Sequence, residues 1–164
     1  MTVSAEEGEA VRSLLAEEAH ALDNKDWKRW LALFHPEVEY WVPSWDSEDI
    51  LTDDPSSQIS LMYYDGRSGL EDRVYRIETN RSSASLPLPR TCHLVSNILV
   101  ARDGDSLVAQ ANWSASAFRN RSSITYFGHY HYLLITEDGA LKIRKKKIVV
   151  CNDLIDTSLD IYNI

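Results

Sequence analysis

Cysteine is nearly missing from this sequence: Cys92 and Cys151 are its only two, and they stand far apart. Two isolated cysteines make neither a disulfide framework nor a zinc site, so both are expected to be reduced core thiols of a cytoplasmic protein. Positive charge is also short. Seventeen Lys and Arg face 25 Asp and Glu, for a net charge of −8. A nucleic-acid binder would show a basic excess, and an anionic membrane surface would repel such a chain. No apolar run approaches the roughly 20 residues that span a bilayer. Residues 1–9 are polar and acidic, without the basic and apolar segments of a signal peptide. What remains is 164 residues, 44% hydrophobic and 26% charged, which fits one soluble globular domain over residues 1–164.

The first third is helical in period. Ser4-x-x-Glu7 fits a capping box, and Val11, Leu14, Leu15, Glu18 and Leu22 follow helical spacing, so a helix is predicted over about Ser4 to Leu22. Asp26 can cap a short second helix carrying Trp27, Trp30, Leu31 and Phe34, which His35-Pro36 ends. Val38–Val42 reads as a strand, and Trp45–Ser57 as an acidic surface loop. Ser60–Tyr64 suits a strand, and Asp65-Gly66 a turn. Ser68-x-x-Glu71 fits a second capping box, opening a helix with Leu70, Val74 and Ile77 on one face. Thr79–Pro89, rich in Ser and Pro, reads as a mobile or partner-ordered loop.

From Arg90 the period becomes two. Cys92, Leu94, Ser96, Ile98 and Val100 are expected on one strand face, alternating with His93, Val95, Asn97 and Leu99. Hairpin turns at Asp103-Gly-Asp105 and Glu137-Asp-Gly-Ala140 separate further strands over Leu107–Ala117, Ile124–Ile135 and Leu141–Val150. The tail from Asp153 alternates weakly and ends apolar. Helices first and then a long meander argue an α+β fold, with the N-terminal helices packed on one face of a curved antiparallel sheet.

Several groups invite chemistry, and each has a plainer use. His129 and His131 share a strand face, but no carboxylate at a telling spacing completes an iron site, so a pocket-lining or interface role is favoured. Asp65, His93, Tyr40 and Tyr64 could line a pocket and move a proton in it, as in an isomerase, dehydratase or cyclase. They serve equally as satisfied core polar groups. In the basic run 142–147, Lys142, Arg144 and Lys146 are expected on one face and Lys145 and Lys147 on the other, pairing with a partner or with the Trp45–Asp54 loop. Trp27, Trp30 and Trp113 read as core. Trp41 and Trp45 flank a proline turn, and Trp45 is the first candidate for a partner contact.

Tyr63-Tyr64-Asp65, Arg67-Ser-Gly-Leu-Glu-Asp-Arg-Val74 and Pro89-Arg-Thr-Cys-His-Leu-Val-Ser-Asn97 together resemble the small (beta) subunit of aromatic-ring-hydroxylating dioxygenases, in the benzoate and anthranilate branch. Trp27-x-x-Trp30-Leu31-x-Leu33-Phe34, Tyr40-Trp-Val-Pro43, Asn112-Trp113, Phe127-Gly-His129, Lys145–Lys147 and Asn152-Asp153 extend the likeness over nearly the whole chain. The Trp45–Asp49 loop and Arg67–Val74 look closest to the anthranilate branch. The resemblance implies a cone of the NTF2-like or cystatin-like type. It implies a structural subunit without catalytic, cofactor or metal residues of its own, in a hexamer of three large and three small subunits. The large partner would carry a Rieske iron–sulfur cluster and a mononuclear iron, fed by an NADH-dependent reductase, and would dihydroxylate an aromatic carboxylate. This sequence lacks the Cys-x-His and Cys-x-x-His pattern of a Rieske centre. Trp45, Arg67, Arg73, Arg76 and Arg90 are the candidate subunit-contact residues. The alternative is a stand-alone pocket enzyme using Asp65 and His93.

Overall fold

The chain begins with the capping box the sequence suggests. The Ser4 hydroxyl accepts from the Glu7 amide at 3.1 Å, and the Glu7 carboxylate accepts from the Ser4 amide at 2.8 Å. Helix α1 follows over Ala5–Asp23, burying Val11, Leu14, Leu15 and Leu22, with Glu18 buried among them. Asp26 caps the short helix α2, Trp27–Ala32. The computed structural model describes residues 2–79, 87–153, 155 and 159–164. Most of the Ser-rich loop and part of the tail expected from the sequence lie outside the described residues.

Strand β1, Phe34–Pro43, starts before Pro36, earlier than its hydrophobic pattern indicates. After the acidic loop come β2, Ser60–Asp65, and helix α3, Arg67–Glu78, which buries Leu70, Val74 and Ile77. The second capping box does not form. Gly66, at φ 112°, precedes the helix, Ser68 lies inside it, and Glu71 instead accepts from Arg67 at 3.0 Å. The remaining strands are β3 (Arg90–Asp103), β4 (Ser106–Arg119), β5 (Ser122–Glu137) and β6 (Ala140–Val150).

The six strands make one sheet in the order β2-β1-β6-β5-β4-β3. All pairs are antiparallel except β1 with β6, where Tyr40 lies opposite Lys146. The meander is therefore joined to the first strands by one parallel seam.

Two irregularities bend the sheet and move side chains between faces. Between Ser96 and Leu99, β3 advances three residues while β4 advances two, and Asn97 takes φ 55°. Such a bulge reverses which residues face inward. His93 is buried ahead of it, with Val95 half-buried, and Ile98 and Val100 turn inward beyond it. Cys92 and Leu94 are exposed, so the face expected from strict alternation does not exist and Cys92 is not a core thiol. A second bulge adds Arg144 between Ile143 and Lys145 of β6. Ile143 and Lys146 are consequently both buried, and the expected common face of Lys142, Arg144 and Lys146 is broken.

Candidate functional site

In a cone of helices on a curled sheet, the enclosed interior is where a site would form. Here Glu18 of α1, Trp30 of α2, Tyr40 of β1, Tyr130 and Tyr132 of β5 and Lys146 of β6 meet there, all at most 3% exposed. The Glu18 carboxylate accepts from Lys146 Nζ at 2.8 Å, from Trp30 Nε1 at 3.2 Å and from the Tyr132 hydroxyl at 2.7 Å. Lys146 Nζ sits 4.2 Å from the centroid of the Tyr130 ring, so an aromatic face stands where water would otherwise solvate the ammonium. Among the described residues the buried Tyr40 hydroxyl has no hydrogen-bond partner.

Burial sets the proton affinities. It pulls the Lys146 ammonium below its ordinary range against the opposing charge of Glu18. Burial and then Glu18 push the phenols of Tyr40, Tyr130 and Tyr132 well above theirs. A desolvated lysine beside a carboxylate is a familiar catalytic arrangement. Glu18 and Lys146 are both buried, and neither lines any of the described clefts. A cleft of about 560 Å³ opens instead beside α1 and the strand ends, where Leu14, Leu33 and Leu107 meet the Glu7–Arg102 ion pair.

The residues singled out in the sequence are mostly kept apart. Tyr40 and Tyr64 are neighbours, with ring centroids 6.2 Å apart. Asp65 is exposed on β2 and His93 is buried on β3, and these strands form the two opposite edges of the sheet. His93 has partners of its own: Nδ1 lies 2.6 Å from Asp23 and Nε2 lies 3.2 Å from the Ile164 carbonyl. His129 and His131 do share the outer face, where His129 meets Asn112 at 2.9 Å. Among the described residues no three His, Cys, Asp or Glu side chains gather as a metal site, and neither cysteine belongs to a donor set suited to an iron–sulfur cluster.

Asp23 accepts from the His93 amide at 3.0 Å and from Thr91 at 3.0 Å besides its contact with the His93 ring. Burial opposes its charge, but these hydrogen bonds more than offset that and hold the carboxyl below its usual range. A carboxyl that titrates lower when folded contributes stability above its unfolded value, near pH 4. That contribution fades as pH falls through the folded value. Asp23→Asn is expected to cost about 1 kcal/mol at neutral pH, allowing for partial exposure. It should also flatten the loss of stability below about pH 4, which urea unfolding at pH 7 and pH 3 would measure.

The candidate contact residues are engaged within the chain. Arg67 donates to Glu71 and to the Phe34 carbonyl, Arg76 pairs with Asp72, and Arg73 clasps the buried Asp160 of the tail. Arg90 lies over the Phe118 ring. Trp45 is half-buried, its indole donating to the Val150 carbonyl at 2.8 Å. Of the interior cluster the sequence pointed only to Tyr40 as a candidate site residue. The signal for the rest was Glu18, a charge in the middle of an apolar helical stripe.

The architecture is that of the cystatin-like cone. A protein of unknown function with a cystatin-like fold from Nostoc punctiforme superposes with a TM-score of 0.65 at 15% identity, over 94% of this chain and 98% of that one, which speaks to fold alone. Sequence takes the assignment further. Residues 17–157 match the Ring hydroxylating beta subunit family, and the chain belongs to that family. It is 43% identical to the benzoate 1,2-dioxygenase subunit beta of Acinetobacter baylyi over 95% of this chain and 93% of that one. Identity to the toluate 1,2-dioxygenase subunit beta of Pseudomonas putida is 42%, with both chains covered completely. The beta subunit of a benzoate 1,2-dioxygenase from Burkholderia mallei superposes with a TM-score of 0.79 at 36% identity, over 100% of this chain and 99% of that one. The anthranilate 1,2-dioxygenase small subunit of Acinetobacter baylyi is 35% identical over 94% of this chain and 96% of its own, a lower overall identity than that to the benzoate and toluate subunits.

Proposed function

We propose that this chain is the non-catalytic small subunit of a Rieske-type terminal oxygenase acting on an aromatic carboxylate of the benzoate or toluate kind. Its task is to hold the oxygenase together, as three small subunits with three large ones in the cytoplasm. The large subunit supplies the iron–sulfur cluster, the mononuclear iron and the substrate pocket, and a separate NADH-dependent reductase supplies electrons. The observation that carries this reading is end-to-end similarity to small subunits of benzoate and toluate dioxygenases. The closed interior agrees with it, since Glu18 and Lys146 neutralise each other out of reach of any described cleft.

A tagged chain captured from its native host tests the proposal. A larger, iron-containing partner with Rieske-type absorbance is expected, with turnover of an aromatic acid only when both chains are present. A chain that elutes alone and converts an aromatic acid without a partner would overturn it.

A further inference from the structure

The cleft beside α1 has no use in the small-subunit reading. Glu6, Ala10, Leu14 and Glu17 recur at helical spacing and make one wall of it, a run of about 16 Å along the helix axis. The turns between β3 and β4 and between β5 and β6 make the other, with Asp105 in the first and Gly139 in the second. The floor is apolar and recessed: Leu14 is 6% exposed, Leu33 8%, Leu107 5% and Leu134 0%. None of the large apolar side chains that stand in the open elsewhere on the described residues lines it. A protein partner would seat on such projecting groups. A hollow of about 560 Å³ with a sunken floor has instead the size and lining of a small-molecule pocket.

The charge around this floor is unbalanced. Glu6, Glu7, Glu17 and Asp105 line the cleft against two cations, Arg102 and Lys142. Arg102 is held by Glu7, and Lys142 Nζ donates to the Ala32 carbonyl at 2.6 Å. Glu17 pairs with Arg29 at 3.0 Å. Glu6 and Asp105 are exposed and have no ion-pair partner among the described residues. Glu6 precedes Glu7 in α1 and Asp105 follows Arg102 by three residues, so both flank the Glu7–Arg102 pair. An apolar floor beside two unpaired carboxylates matches a molecule that is apolar at one end and cationic at the other. An anion would meet a surplus of negative charge there, as it does over the whole chain at net −8.

We propose that this cleft binds a small organic cation, an ammonium group on an apolar body, with the ammonium facing Glu6 and Asp105 and the body lying on Leu14, Leu33, Leu107 and Leu134. The proposal goes beyond the small-subunit reading, which gives this chain no ligand, and stands or falls apart from it. Burial of the body against the leucines supplies most of the affinity. The two carboxylates decide the sign of the ligand and add little to its strength, because exposed charge pairs in water are worth little. An ammonium is therefore expected to be preferred over a neutral head of the same shape by roughly fivefold.

Titration calorimetry of the full-length chain at low ionic strength tests it, with probes that share one body and differ in the head: 3-phenylpropylamine, 3-phenylpropanol and 3-phenylpropionate. The amine is expected to saturate a single site with a roughly submillimolar Kd, the alcohol to bind about fivefold more weakly and the carboxylate most weakly of all. Ala10→Trp fills the cleft from an exposed position of α1, and should abolish binding while circular dichroism and the thermal midpoint stay unchanged. Glu6→Gln with Asp105→Asn should remove the preference for the amine and leave binding of the alcohol in place. Glu48→Gln with Asp49→Asn removes the same charge from the acidic loop and should change nothing. No saturable binding of the amine at millimolar concentration overturns the proposal. So does tighter binding of the carboxylate, or amine binding indifferent to both Ala10→Trp and the change at Glu6 and Asp105. A large, iron-containing partner is the competing occupant. The Ala10→Trp chain is expected to capture that partner as the wild type does, and the assembled complex to keep the amine site. Loss of either assigns the cleft to the partner and overturns the proposal. Failure of the small-subunit reading is read separately, from the absence of any such partner on the wild-type chain.

Discussion

Glu18→Ala is expected to lower the thermal midpoint by roughly 6 to 20 °C. Removing one member of a buried ion pair costs about 3–5 kcal/mol, and each kcal/mol is worth about 2–4 °C in a chain of this size. The cost falls on what stays behind. Lys146 Nζ would be left on the faces of Tyr130 and Tyr132 with no counter-charge, and Trp30 Nε1 and the Tyr132 hydroxyl would lose their shared acceptor. The pair as a whole need not be stabilising, since taking both charges out of water is itself expensive. Glu18→Gln combined with Lys146→Met keeps the volume and an acceptor for Trp30, and should recover most of the loss. Urea unfolding of Glu18→Gln, Lys146→Met and the double gives the coupling directly. A double variant no better than Glu18→Ala would show that the charges are needed for more than each other. A Glu18→Ala loss under about 1 kcal/mol would mean that the carboxylate is not shielded from water as described.

That cluster also shows where sequence reading stops. The helices were legible because their apolar stripes and the Ser4 and Asp26 caps are local signals. Strand β4 was legible for a similar reason: Leu107, Ala109, Ala111, Trp113, Ala115 and Ala117 alternate with polar residues and no bulge interrupts them. Strand β3 carries apolar residues on both faces, Leu94 and Leu99 outside and Val95 and Val100 inside, so alternation alone allows two solutions. The choice is made by the bulge at Asn97, which hydrophobic pattern does not reveal. The bulge at Arg144 has the larger consequence, because it turns one lysine of a basic run into the core against a glutamate 128 positions earlier. The pairing of Asp65 with His93 failed differently. Both residues have suitable chemistry, but only the strand order places them at opposite edges, and that order depends on the long-range parallel seam between β1 and β6. The family resemblance was legible throughout because it rests on ordered short motifs and needs no knowledge of which way a side chain points.

One of those motifs, Phe127-Gly-His129, sits where the chain has no space to spare, and Gly128→Ala should be the most damaging of the glycine-to-alanine changes. A Cβ at Gly128 would fall 1.8 Å from the Val149 carbonyl oxygen and 2.9 Å from its carbon. Both are backbone atoms of the adjacent strand, so no flexible side chain can swing away. The β5–β6 seam must open there, and Ile148 and Val150, both buried on β6, would move with it. The Val149 carbonyl also accepts the Trp113 indole N–H at 3.3 Å, and Trp113 is paired with Gly128 across β4 and β5, so the same displacement loosens β4 as well. A loss above about 4 kcal/mol is expected, in the range reserved for a specific structural conflict. Gly139→Ala is the informative comparison. Gly139 takes φ 80° in the turn between β5 and β6 but has open space around it, so its cost is backbone strain alone, on the order of 1 kcal/mol. Urea unfolding of both variants separates steric conflict from strain. If Gly128→Ala unfolds within about 1 kcal/mol of wild type, the close approach of β6 to β5 at Val149 is wrong.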